Sequence, residues 1–177
     1  MPPASAFVTK LNEQIAYEFA AHQQYVACAV YYDSEALPEL ARFFYRQALE
    51  ERDHAMMMVQ YLMDTGADVT IPGVDAPSTR FENATSPIAL ALAQEQRVSE
   101  QINALAATAR EHRDFTSEQF IQWFIREQIE EVATMSGLLR VAQRSRDDVA
   151  QIEEFVAREH AGAASADPTA PGAAGAG

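Results

Sequence analysis

Glu50-Glu51-Arg52-Asp53-His54 sits in the middle of a helical pattern that runs from about Leu40 to Leu62. With about 100° between successive residues, Leu40, Phe44, Gln47, Ala55, Met58 and Leu62 fall on the same side as Glu51. Glu51 therefore points where a core should be, and His54, one turn on, points nearly the same way. An ionised carboxylate in a low-dielectric core is strongly unfavourable unless it is paired. Two arrangements satisfy it: a metal ion, or a buried hydrogen-bond network. A lone Glu-x-x-His also arises by chance on solvated helices, so its meaning depends on the rest of the chain.

The chain has 177 residues, one domain's length, and its 48 % hydrophobic content is enough for a sizeable core. Its formal charge is -13, and Lys10 is the single lysine. That balance argues against nucleic acid and anionic membrane partners and suits the attraction of cations, although it also describes a plain acidic surface. The single cysteine, Cys28, excludes an intramolecular disulfide framework and fits a reducing cytosol. Met1 to Lys10 holds no apolar signal core, and no stretch reaches the length of a membrane span.

A first helix is expected from Ala4–Phe7 to Tyr32, with Leu11, Ile15, Glu18, His22, Tyr25 and Ala29 on one face. Glu18 is a second carboxylate on an apolar stripe. His22 reads most simply as a hydrogen-bonded core histidine, and Tyr25 as a core aromatic with a satisfied hydroxyl, two turns from Glu18. The second helix, with Pro38 in its first turn, ends at Gly66, a left-handed cap. Residues 67–85 carry Pro72, Gly73, Pro77 and Asn83 and no helical period. A loop of that length can run along a bundle and make successive helices parallel.

Ser86 as cap and Pro87 in the first turn predict a third helix, with Ile88, Ala91, Glu95, Ser99, Ile102 and Ala106 on one face. Thr116 followed by Gln119 reads as a capping box for a fourth. Its inner face is Ile121, Phe124, Gln128, Glu131 or Val132, Met135 and Leu139. The fold class is therefore all-α, a four-helix bundle with a long crossover between the second and third helices. Each helix offers a carboxylate to the middle. Glu18, Glu51, Glu95 and Glu131 carry four negative charges that two divalent cations would neutralise; a purely structural network would have to protonate some of them. Oxygen donors with one imidazole favour iron or manganese over thiolate-bound zinc.

This arrangement resembles the ferritin-like carboxylate proteins, and most of all the haem-free bacterial ferritins of actinobacterial type, over nearly the whole chain to about His160. The resemblance implies a ferroxidase centre: Glu18, Glu51 and His54 at a first iron, and Glu51 bridging to a second held by Glu95 and Glu131 with Gln128 close by. Glu50, Glu127 and Glu130 match a third, peripheral iron site, with a solvated helix surface as the other reading. Tyr25 and Trp123 stand where the family has aromatics near the centre, as electron donors. Bacterioferritins would carry Glu-x-x-His on the fourth helix, where this chain has Gln128 and Glu131. They hold haem through a methionine after the bridging glutamate, where this chain has Arg52, so no haem is expected. The run Met56-Met57-Met58 reads as core or interface packing.

A short fifth helix, about 147–160 with Val149, Ile152, Phe155 and Val156 apolar, must pack on something. The resemblance places it at the fourfold axis of a shell of twenty-four chains. Residues 1–160 thus form the ferritin-like domain, and the Ala/Gly/Pro-rich tail 161–177 is expected to be disordered. The implied function is storage and detoxification of iron in the cytoplasm. Fe(II) is oxidised by O2 or H2O2 and kept as mineral in a homo-oligomeric shell, with Glu118 resembling a channel acid and Ile121 departing from the acidic pattern there. The alternative is a dimeric di-iron oxidase or peroxidase without storage. The absence of rubredoxin-like cysteine pairs weakens the peroxidase version, and the fifth helix favours the shell.

Overall fold

A computed structural model describes residues 3–146, 148–160 and 167–175. Among these residues five helices follow one another: α1 Ser5–Ser34, α2 Pro38–Asp64, α3 Ser86–Glu111, α4 Phe115–Arg144 and α5 Val149–Glu159. No strand occurs among the described residues. The three-residue turn after α1 forces α2 back along it, so that Phe7, near the start of α1, meets Tyr61, near the end of α2.

The crossover after α2 is stitched to α1 by two side-chain amides. Asn12 accepts from Thr70 N and donates to Asp68 O (2.7 and 3.0 Å). Further up, Gln24 accepts from Ser78 N and donates to Ser78 O, both at 2.9 Å. Tyr32 Oη then donates to Ala84 O at 2.6 Å. The loop thus climbs the length of α1, delivers α3 to the end where α2 began, and makes α2 and α3 parallel, as its length suggests. At the far end, Asp114 Oδ2 accepts from Ala4 N at 2.9 Å, which ties the start of α4 to the start of α1.

Helix ends explain several boundaries. Gly66 has φ 69°, and its N–H and that of Ala67 return to Met63 O and Leu62 O (3.1 and 2.9 Å), so the orphan carbonyls of α2 are satisfied in a left-handed cap. Two expected starts are corrected. The cap of α4 is Asp114, not Thr116: its carboxylate takes Ser117 N (3.1 Å) and Ser117 Oγ (2.6 Å), and a carboxylate is the better acceptor at a positive helix end. At α3, Asn83 Oδ1 accepts from the N–H groups of Thr85 and Ser86 and from Ser86 Oγ, each at 3.0 Å, and so does the work expected of Ser86.

The core divides into two apolar clusters, one around Tyr25, Tyr32, Leu40, Phe44, Met135 and Leu138, the other around Phe7, Leu11, Ile15, Met58, Leu62 and Phe124. Leu138, rather than Leu139, is the buried leucine of the last turns of α4. Of the methionine run only Met58 is fully buried. The inward carboxylates lie between the clusters. Ile152 and Val156 bury α5, and Glu153 caps α2 across the junction, accepting from Glu39 N (3.1 Å) and Leu40 N (2.7 Å).

The tail expectation lies partly outside the described residues, which omit 161–166 and 176–177. The described part, 167–175, touches the bundle: Asp167 Oδ2 accepts from Trp123 Nε1 at 2.8 Å, and Ala174 N donates to Met56 O at 3.0 Å. No helix among the described residues is long and apolar enough to cross a membrane.

Candidate metal centre

Glu18, Glu51, His54, Glu95, Gln128 and Glu131 are all buried, Glu51 and Glu95 completely. Three of the four carboxylates have oxygens with no hydrogen-bond partner: Glu18 Oε2, both oxygens of Glu51, and Glu95 Oε2. Buried polar atoms are normally satisfied, so the cluster of orphaned oxygens asks for a cation. Glu18, Glu51 and His54 bring one ligand atom each within 4.8 Å of one another, and so do Glu51, Glu95 and Glu131. Glu51 belongs to both groups.

The electrostatics say the same. Burial, and then the charges of Glu95, Glu18 and Glu131, push the Glu51 carboxyl far above the usual carboxylate range. Glu131 is raised in the same way by burial and the charge of Glu95, and Glu95 is raised to about 7 chiefly by burial. Burial lowers His54, which keeps its imidazole neutral and able to ligate. Without a cation the site holds protons; with two divalent ions it can hold none, and its charges balance.

A surrounding layer orients the ligands. Gln14 Nε2 donates to Glu18 Oε1 at 2.8 Å. The Tyr25 hydroxyl donates to Glu95 Oε1, and Ser99 Oγ donates to Gln128 Oε1 at 3.0 Å. Gln128 in turn lowers Glu95 by hydrogen bonding, which offsets part of the burial effect. Trp123 sets its ring edge-on to His54, with centroids 5.6 Å apart. His22 is held by Ala48 O at 2.6 Å, hydrogen-bonded as expected but half-buried rather than in the core. Gln14 escaped the sequence reading although it lies four residues before Glu18 on the same face.

Glu50, Glu127 and Glu130 sit in one another's fields: burial first, and then the charges of Glu130 and Glu50, raise Glu127. The three-ligand group at that edge is His54, Glu127 and Glu131. Glu50 is half-buried and takes a hydrogen bond from Gln47. Glu118 is paired with Arg110, whose Nη2 stands at 2.6 Å, and Ile121 is fully buried.

Residues 8–145 match the family description "Ferritin-like domain". The chain belongs to the ferritin family. It is 53 % identical over 169 residues to ferritin BfrB of Mycolicibacterium smegmatis, covering 96 % of this chain and 93 % of that one. It is 35 % identical over 138 residues to a bacterial non-haem ferritin of Staphylococcus aureus, covering 78 % and 83 %. In three dimensions this ferritin superposes on an open-pore ferritin from the archaeon Archaeoglobus fulgidus with a TM-score of 0.84 at 25 % identity, over 88 % of this chain and 96 % of that one. The fold is thus a ferritin four-helix bundle with a short fifth helix, and the function that goes with the family is iron storage.

Proposed function

We propose that this ferritin is a ferroxidase that fills its own store. Two Fe(II) ions bind as substrate, one at Glu18, Glu51 and His54 and one at Glu51, Glu95 and Glu131, with Glu51 bridging. One observation carries this reading: two three-ligand groups that share Glu51 and contain its unpartnered oxygens. A pair of ions held by one carboxylate is close enough to deliver two electrons to one oxidant. Each Fe(II) gives up one electron. O2 accepts the two with two protons and leaves as H2O2, or H2O2 accepts them with two protons and leaves as water.

Chain residues set the conditions. The carboxylates release protons as iron enters, the neutral imidazole of His54 ligates without adding charge, and Gln14, Tyr25 and Gln128 keep the ligands aimed while the ions change charge. Ferric iron leaves by the edge where Glu127 meets His54 and Glu131, with Glu50, Glu127 and Glu130 as a third iron position. Storage takes place in a cytoplasmic shell of twenty-four copies with α5 at the fourfold axis.

Adding a large excess of Fe(II) to the apoprotein in air, followed by size-exclusion chromatography, tests this. Ferric iron eluting with a particle of several hundred kilodaltons supports it. Iron limited to a pair per chain on a dimer would replace storage by a soluble di-iron oxidase.

A further inference from the structure

The segment 161–177 carries one charged side chain, Asp167, in a run otherwise made of Ala, Gly, Ser, Thr and Pro. That acid is the one that reaches the indole of Trp123, at 2.8 Å. Thr169 donates to it as well, its N–H to Oδ1 and its hydroxyl within 2.8 Å of either oxygen. Asp167 thus ties its own turn to the indole. From there the chain crosses to α2, where Ala174 N donates to Met56 O and Ala170 and Ala174 pack on the apolar cluster around Phe7 and Met58.

The crossing matters because of what lies under it. α1 and α3 come into close backbone contact, whereas α2 and α4 stay further apart. His54 and Glu127, with Glu131, line the edge of the centre on that side. Trp123, only 7 % exposed, rests edge-on against His54.

We propose that residues 167–175 are a strap across the α2–α4 side of the metal centre, and that Asp167 is the positioning residue that holds it, through Trp123, over His54. The strap slows exchange of metal ions between the His54–Glu127–Glu131 edge and the surroundings. This rests on the metal-binding reading above.

The full chain provides its own probe, because Trp123 is its single tryptophan. Acrylamide quenching of its emission reports whether the indole is covered, with or without metal. Co(II), which stays divalent in air on this timescale, reports exchange through the rate at which EDTA strips it from the loaded protein. In Asp167→Ala, quenching should rise and stripping accelerate about tenfold, the effect of losing one charge-assisted hydrogen bond on the open population. The number of Co(II) bound per chain should stay the same. Asp167→Glu should retain both properties, and a chain ended after Gly162 should behave as Asp167→Ala does.

Unchanged quenching in Asp167→Ala would overturn the pin, and raised quenching with unchanged stripping would overturn the gate. Failure of the unaltered protein to bind Co(II) would instead overturn the metal centre itself and the gate with it.

Discussion

Glu51 and His54 lie one turn apart on α2, with Glu51 Oε2 3.5 Å from His54 Nδ1. That is longer than the usual N–H···O separation of about 2.7–3.2 Å, and both side chains are buried. Neither satisfies the other, yet both fit as ligands of one ion. Glu51 has a second such relationship with Glu95 and Glu131, which is why one residue is central to the site.

Replacing Glu51 by Ala should abolish rapid Fe(II) oxidation in stopped-flow traces and reduce tight Co(II) binding from two ions per chain to one or none. Assembly and helical content should be retained, because a buried carboxylate without its ion does not stabilise the bundle. Oxidation at the normal rate would remove the bridging role.

The stability of the apoprotein should fall as pH rises. Glu51, Glu95 and Glu131 hold protons when folded that they release when unfolded, so their contribution is fully present below about pH 4.5, the unfolded value, and is lost as pH climbs through the folded values, about 7 for Glu95. For Glu95 alone the difference is worth about 3 kcal/mol. Thermal melts of metal-free protein between pH 5.5 and 8 check this, and Glu95→Gln should flatten the slope. Added Co(II) should raise Tm most at the alkaline end, because binding displaces protons. A melt curve that rises with pH would contradict the assignment.

Glu130→Gln should leave the first oxidation of two Fe(II) per chain intact and slow later turnovers, since Glu130 lies outside all the three-ligand groups and its charge acts on Glu127 at the peripheral position. Repeated small iron additions followed by absorbance separate the two phases. Identical later turnovers would take Glu130 out of the iron route.

Asp114→Ala should destabilise the bundle by about 2 kcal/mol, through loss of the helix cap and of one of the two partners of the buried Ser117 hydroxyl, which keeps Tyr61 Oη at 2.8 Å. Thr116→Ala should cost little. Denaturant titration of both variants tests the corrected cap.

Much of this was legible in the sequence because helical periodicity fixes which side chains face inward. Glu18, Glu51, Glu95 and Glu131 each interrupt an apolar stripe, and a stripe needs only local spacing to be read. The crossover was legible from its length and its prolines. Caps were less so: Asp114 and Asn83 lie outside the helices they serve, and Thr116 and Ser86 offered equally good local patterns. Gln14 is the missed member of the site, hidden because a glutamine on a helix face looks like solvent-exposed filler. The contact between Asp167 and Trp123 could not be read at all, since nothing local connects residues so far apart in a tail of small residues.

The most direct test of the central claim is anomalous diffraction from crystals of the apoprotein soaked anaerobically in Fe(II). Two iron peaks about 3.5–4 Å apart are expected on either side of the Glu51 carboxylate, one beside Glu18 and His54 and the other beside Glu95 and Glu131. A single peak, or a pair that Glu51 does not touch, would contradict it.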